Sequence, residues 1–384
     1  MTRRSVALLI ETSNGYSRGL LEGVISYTKE HGNWSVYLTE QERGAPPPAW
    51  LGTWGGDGII ARIETDSVGC QLQRCGVPIV DLSAARHVKG VPWADTEDRA
   101  ISKLAVEHFI TRGFRNLAYC GDAGFQWSTK RCQHFRQFAE ASGCKVFEHQ
   151  SVARYDRAFD AVAEKRRIMV WVRQLPRPVA IMGCYDFKAQ EVLDVCRQLK
   201  LAVPTEVAVL GVDDDHLICE LSDPALSSVI PDTKRTGYEA ASLLDRMMSG
   251  EVFTTEEPLI TQPLGIQLRE STDTVAIEDE QIAKALQYIR RKASANIRVV
   301  DVLDNIDLSR RVFEHRFKKL VGRTPHQEIQ RVRMNRVKEL LRETDLTVPQ
   351  IAERLGFEHS EYLGAAFKRE IGVSPGEYKR KTLD

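Results

Sequence analysis

No stretch of this 384-residue sequence is apolar for long enough to cross a bilayer, and none resembles a secretory signal core. The apolar run near the start, Val6 to Ile10, stops at Glu11. A soluble, cytoplasmic protein with no membrane partner is expected. The eight cysteines include no CxxC pair and no Cys/His ligand spacing, so a disulfide scaffold and a zinc site are both disfavoured and reduced, buried thiols are expected. Nor is there a metal loop: Asp213-Asp214-Asp215 lacks the spaced oxygens and glycine that calcium requires. No cofactor is implied. With 42% hydrophobic and 28% charged residues the chain is ordinarily globular, and its length predicts two or three folded units.

The sequence also lacks net charge, with 53 basic and 53 acidic residues, but the balance is uneven along the chain. Residues 280–384 carry 22 Lys and Arg against 15 Asp and Glu, which leaves residues 1–279 acidic by the same margin. An acidic body with a basic end makes nucleic acid a candidate partner for that end alone. Over residues 1–270, short β-rich runs alternate with helical periodicity, the pattern of βαβ units and parallel sheets. Strands are expected at Ser5–Ile10, Trp34–Leu38, Gly58–Ala61, Pro78–Leu82, Leu117–Cys120, Ala180–Gly183 and Val207–Val212. The alternation is too long for one sheet and restarts near Gly113, so two doubly wound α/β lobes facing a cleft are expected. Residues 271–279, polar and acidic, read as a linker, and residues 280–384 are helical throughout.

The strongest pattern is a repeat at a spacing of fifty residues. Phe313 corresponds to Leu363, Phe317-Lys318 to Phe367-Lys368, Gly322 to Gly372, and Thr324-Pro325 to Ser374-Pro375. Each copy reads as a short helix, a tight turn and a second helix with Phe313, Phe317 and Leu320, or Leu363, Phe367 and Ile371, on its apolar side. Gly322 and Gly372 suit a left-handed helix end, and Pro325 and Pro375 the first turn of the next helix. This is the pattern of two helix-turn-helix units whose second helices enter the major groove. Opposite Phe313 and Phe317 lie Arg310, Arg311, Glu314, His315, Lys318 and Lys319, where arginine can grip guanine and lysine can meet phosphate; Lys368 repeats Lys318. The connecting helix, residues 325–342, spans roughly 27 Å at ~1.5 Å per residue, against about 34 Å between successive major grooves. Its Arg331, Arg333, Arg336 and Lys338 are phosphate contacts or a solvated face.

The segment TVPQIAERLGFEHSEYLGAAFKREIGVSPGEYKRK resembles the signature region of AraC/XylS-type regulators. That resemblance implies base reading by Arg311, Glu314 and His315 in the first unit and by Ser360, Glu361, Tyr362 and Ala365 in the second. Gly364 and Ala365 stand where longer polar side chains are usual, so specificity is expected chiefly from the first unit. The body, through SNGYSRGLLEGVISY and VAVLGVDDDHL with PALSSVIPD, resembles the periplasmic-binding-protein-like sensors of LacI/GalR regulators. A sensor ahead of AraC-type helices implies an activator that answers to a pentose, D-xylose foremost. Operator DNA, RNA polymerase and a second copy of the chain are its implied partners.

Ligands of open α/β sheets bind beyond the carboxyl ends of the strands. A sugar needs polar groups spaced for its hydroxyls and an aromatic face for its C–H surface. Asn14, Tyr16 and Arg18 follow the first strand; Arg62 and Asp81 follow the third and fourth; Phe125, Gln126, Trp127 and Arg131 follow the fifth; Tyr185, Asp186 and Asp213 follow later ones. The resemblance places Asp213 and Arg131 at ligand-binding positions, and Trp127, Asp186, Phe125, Asn14, Tyr16, Arg18 and Asp95 complete the expected site. An enzyme is the competing reading: Gly183-Cys184-Tyr185 resembles a nucleophile elbow and some AraC-type proteins carry an amidase-like body. Phe187, where a small residue is expected, and His216 as the one candidate base weigh against it.

Overall fold

The structure, a computed structural model, describes residues 3–383 apart from 33, 44, 84, 153–158, 252, 254–257, 275, 278, 293–295 and 358. The chain divides into two compact units, Met1–Thr274 and Val275–Asp384.

The first unit begins with β1 (Arg4–Leu9), α1 (Gly15–His31), β2 (Trp34–Leu38), β3 (Gly58–Ala61), α2 (Asp66–Gln73), β4 (Ile79–Asp81) and β5 (Ala94–Thr96). It continues with α3 (Asp98–Thr111), β6 (Asn116–Asp122), α4 (Gln126–Ala141), β7 (Lys145–Ser151), α5 (Ala161–Gln174), β8 (Val179–Gly183), α6 (Asp186–Gln198), β9 (Val207–Val212) and α7 (His216–Leu221). It closes with β10 (Ser227–Ile230), α8 (Thr233–Met248), β11 (Leu259–Thr261) and β12 (Gly265–Gln267).

Two sheets form two lobes. The first is parallel in the order β2-β1-β3-β4, and a bridge from Asp81 to Trp93 joins it to the short β5–β11 pair. The second runs β12-β10-β9-β8-β6-β7, parallel except for β12. Continuous apolar strands such as VAVLGV are what a sheet covered on both faces requires, and every residue of β8 and β9 is buried. Leu20, Val24 and Tyr27 of α1 share one core with Ala240, Ala241 and Leu244 of α8, against β1 and β3. In the second lobe Ile168 and Val172 of α5 and Val192 and Cys196 of α6 cover β8 and β9.

The lobes are not successive halves of the sequence. The restart expected near Gly113 is the start of a sheet, but α8 and β11 return to the first lobe, and β12 then rejoins the second. Three segments therefore cross between lobes: Thr96 to Asp98, Ile230 to Thr233, and Thr261 to Gly265. The stretch 271–279 also departs from the linker reading at its beginning. Ser271 and Thr272 are fully buried, and Ser271 Oγ donates to the carbonyl of Val209 on β9 at 2.6 Å. Hydroxyls can satisfy strand-edge groups, so a polar run need not be a solvated one.

The second unit is helical: α9 (Glu280–Lys292), α10 (Val299–Leu303), α11 (Arg310–Val321), α12 (Pro325–Glu343), α13 (Val348–Arg354), α14 (Ser360–Ile371) and α15 (Pro375–Leu383). Thr324 and Thr347 each accept from the amide three residues on, while Gln327 and Gln350 return the bond, so α12 and α13 start at capping boxes. Gly322 and Gly372, at φ of 80° and 87°, end α11 and α14 in the left-handed region.

Candidate functional site

Between the lobes lies a cavity with about 340 Å³ of void space, open in part to solvent. The first lobe contributes Tyr16 from α1, Arg43 from the connection after β2, Arg62 after β3, and Asp95 and Thr96 of β5. The second contributes Asp98 at the start of α3, Trp127 and Arg131 of α4, and Asp213 after β9.

The charged groups are braced in pairs. Arg62 lies 3.2 Å from Glu11 and 2.7 Å from Glu64, with its guanidinium over the Tyr16 ring. Tyr16 donates to Asp95 Oδ1 at 2.9 Å. Arg131 donates to Asp98 Oδ1 through Nε and Nη2 at 3.0 and 2.7 Å, and to the carbonyl of Cys184 through Nη1. Its guanidinium lies 5.2 Å from the Trp127 ring centre. Asp213 has φ of 110°, and its carboxylate has no hydrogen-bond partner among the described residues. Burial pushes Asp213 up to about 6 against the pull of Arg131, Arg43 and Arg62. Burial, reinforced by the nearby Asp98, likewise raises Asp95 to about 7.

Buried donors complete the picture. Arg43 Nε, Arg62 Nε and Trp127 Nε1, all on cavity-lining side chains, have no hydrogen-bond acceptor among the described residues. A cavity lined by arginines, a tyrosine, an indole and an Asp213 carboxylate without a partner among the described residues suits a polyhydroxylated ligand, each of whose hydroxyls both accepts and donates.

Of the sequence-derived residues, Asp213, Arg131, Trp127, Tyr16 and Asp95 line this cavity together, and the other four stand apart from it. Asp186 is buried beneath, accepting from the Asp215 amide at 2.7 Å and from Ser228 Oγ at 2.6 Å. It braces the loop that presents Asp213 instead of reaching the cavity. Asn14 caps α1 by accepting from the Ser17 amide at 2.9 Å, while its buried Nδ2 is unpaired among the described residues. Arg18 donates to Asp215 at 3.0 Å. Phe125 stacks behind Trp127, with ring centres 5.1 Å apart. Sequence reasoning missed Arg43, Thr96 and Asp98, and noted Arg62 only as following a strand. Asp98 follows a strand too short to show a period, and Arg43 lies in a connection without one.

Cys184 does not fit the nucleophile reading. It is fully buried, its carbonyl is held by Arg131, and burial pushes its thiol up to about 12, the reverse of activation.

In the second unit, Phe313 and Phe317 pack edge to face at 5.3 Å within a core shared with Ile282, Leu286, Val302 and Ile329. Leu363 and Phe367 take the same places in a second core with Ile351, Leu355, Val337 and Leu341. Leu320, expected in the core, is exposed, and the neighbouring Val321 is buried in its place. Arg310, Arg311, His315 and Lys318 stand exposed on α11, with Glu314 half-buried and 2.9 Å from Arg310. On α14, Glu361, Tyr362, Ala365 and Lys368 are exposed and Ser360 half-buried. Two arginines of α12, Arg333 and Arg331, depart from a phosphate-binding or solvated row. Arg333 is buried, donates to the Leu355 carbonyl at 3.0 and 2.8 Å and lies 3.7 Å over the Phe357 ring; Arg331 grips buried Glu328 at 2.8 Å, and Arg336 pairs with Glu339.

Three family profiles match in tandem: the XylR N-terminal domain over residues 5–92, a periplasmic binding protein-like domain over 106–272 and a helix-turn-helix domain over 303–381. The solved structure of the xylose-binding transcription activator xylR is similar over 99% of this chain and 98% of that one, with TM-score 0.83 and 28% identity. The chain is a XylR-type transcription regulator. Xylose operon regulatory proteins of Haemophilus influenzae and Escherichia coli K12 are 28% and 29% identical to this XylR-type chain, over 97% and 98% of it and 97% of each of them. The CelR–cellobiose complex, 24% identical with TM-score 0.58 over 70% of this chain, shares the sensor fold.

Proposed function

We propose that this regulator senses D-xylose in the inter-lobe cavity and activates pentose catabolic genes through its two helix-turn-helix units. The observation that carries the sugar reading is one cavity that brings together the Asp213 carboxylate, unpaired among the described residues, Arg131, the Tyr16–Asp95 pair and the Trp127 indole. Arg131 and Asp213 are read as hydroxyl-binding groups, Trp127 as the surface for the ring's C–H face, and Tyr16 and Asp95 as a linked pair at the opposite wall. Arg311, His315 and Glu314 are read as the base contacts of α11, and Lys318 and Lys368 as phosphate contacts; on α14, Ser360, Glu361, Tyr362 and Ala365 face the groove.

The sugar acts only through a difference in DNA affinity between its bound and free states. A pair of chains would set four helix-turn-helix units on one promoter in the cytoplasm, beside RNA polymerase. Fluorescence anisotropy of the full chain on labelled DNA from upstream of pentose isomerase and kinase genes tests this. Affinity that changes on adding D-xylose and not L-arabinose is expected, and a titration indifferent to every sugar would refute sensing.

A further inference from the structure

The aromatic wall of the cavity is only partly available. Phe125, Trp127 and Tyr185 form one cluster on the second lobe, with Trp127 stacked on Phe125 and edge-on to Tyr185 at 5.8 Å. Trp127 alone of the three lines the cavity. The guanidinium of Arg43 takes the remaining space, at 5.2, 5.5 and 5.1 Å from the Phe125, Trp127 and Tyr185 ring centres. It arrives from the opposite lobe. Its connection is tied there by the Thr12 amide, which donates to the Gln41 carbonyl at 3.0 Å. Arg43 Nε lies 3.6 Å from Glu11, itself fixed by Arg62 and Ser17.

We propose that Arg43 sets the size of sugar the cleft accepts, by filling the space that the group beyond a five-carbon ring would need. The proposal rests on the sugar-binding reading of the cavity. A pyranose with one further hydroxymethyl group has to push the guanidinium off three ring faces, each contact worth more when desolvated. A pentose meets no such demand. Without the guanidinium, Phe125 and Tyr185 become cavity walls and offer a larger C–H-binding surface. Sequence periodicity carries no trace of this, because the residue reaches the site from a loop of the other lobe.

The test is calorimetric titration of the full chain, wild type, Arg43→Ala and Arg43→Met, with D-xylose and with D-glucose, which is xylose bearing that extra group. The wild type is expected to prefer xylose at least about tenfold, and both variants to lose at least about tenfold of that preference through tighter glucose binding; a tenfold ratio is about 1.4 kcal/mol. A general loss of structure weakens both sugars together and leaves their ratio alone, and Arg43→Met keeps most of the stem's bulk. An unchanged ratio in both variants, or a wild type that takes the two sugars equally, overturns the proposal while leaving the sensor reading intact. A wild type that binds neither sugar overturns both.

Discussion

Asp95 and Asp213 are carboxylates that the fold holds against their own charge. Burial and the neighbouring Asp98 raise Asp95 to about 7, well above an unfolded aspartate. A raised folded-state value means that its contribution is favourable below the unfolded value and is lost as pH rises through about 7. Asp95→Asn, which can still accept from Tyr16, is therefore expected to leave thermal stability unchanged near pH 4 and to raise it at pH 8 by roughly 1–3 kcal/mol, measured by unfolding at the two pH values. Asp213 predicts a second pH effect. On the proposed reading its ionised form would accept from sugar hydroxyls, so xylose affinity should fall as pH drops below about 6, and Asp213→Asn should flatten that profile while weakening binding throughout. Titrations from pH 5 to 8 check both. Asp213 was legible in the sequence by its position directly after β9 and by family resemblance, and Arg131, inside α4, chiefly by the resemblance. Arg43 and Asp98 were not, because their roles come from what the opposite lobe brings against them.

The elements that could be read ahead of the structure are those whose period and punctuation agree. In the second unit the helices with clear punctuation fall where it puts them: Thr324 and Thr347 cap α12 and α13, and Gly322 and Gly372 end α11 and α14 ahead of Pro325 and Pro375. The strands that escaped notice are short, like β5, β10, β11 and β12, or carry charges along an edge, like β7 with its sequence KVFEHQS. β7 buries only its last residue, so it has no buried face to show as apolar alternation. Helix ends give a direct test. A methyl group added at Gly322 or Gly372 meets no atom within 4 Å, so alanine there costs only the left-handed backbone. Gly372→Ala should destabilise the second helix-turn-helix by about 1–2 kcal/mol, seen as a lower melting temperature and weaker promoter binding. Arg333→Met removes both hydrogen bonds to the end of α13 and should cost a similar amount; promoter affinity should then fall through unfolding of this motif, whereas loss of a phosphate contact would reduce the salt dependence of binding instead.

For the whole molecule, the question is how a sugar between the lobes is felt by a helical unit attached after them. The chain leaves the sensor from the second lobe, where Arg269, Ser271 and Thr272 are fastened. Arg269 donates to Asp214 at 2.7 Å and Glu220 at 2.6 Å; Ser271 is bonded to Ser227 and Val209; Thr272 lies 2.9 Å from His108 Nε2 and accepts from Arg112. Burial holds His108 down to about 3, so this anchor is neutral at that histidine and insensitive to physiological pH. Asp214 directly follows the cavity residue Asp213, and both carry positive φ. A ligand that shifted this strained pair would therefore act one ion pair away from the point where the tether begins. Arg269→Ala should leave xylose affinity within about threefold of wild type yet shrink the xylose-dependent change in promoter affinity. Because coupling between two ligands is reciprocal, the effect of promoter DNA on xylose affinity must shrink by the same factor. Parallel titrations in both directions measure the two factors, and a variant whose coupling stays at the wild-type value would place the route of transmission elsewhere than the Asp214–Arg269 pair.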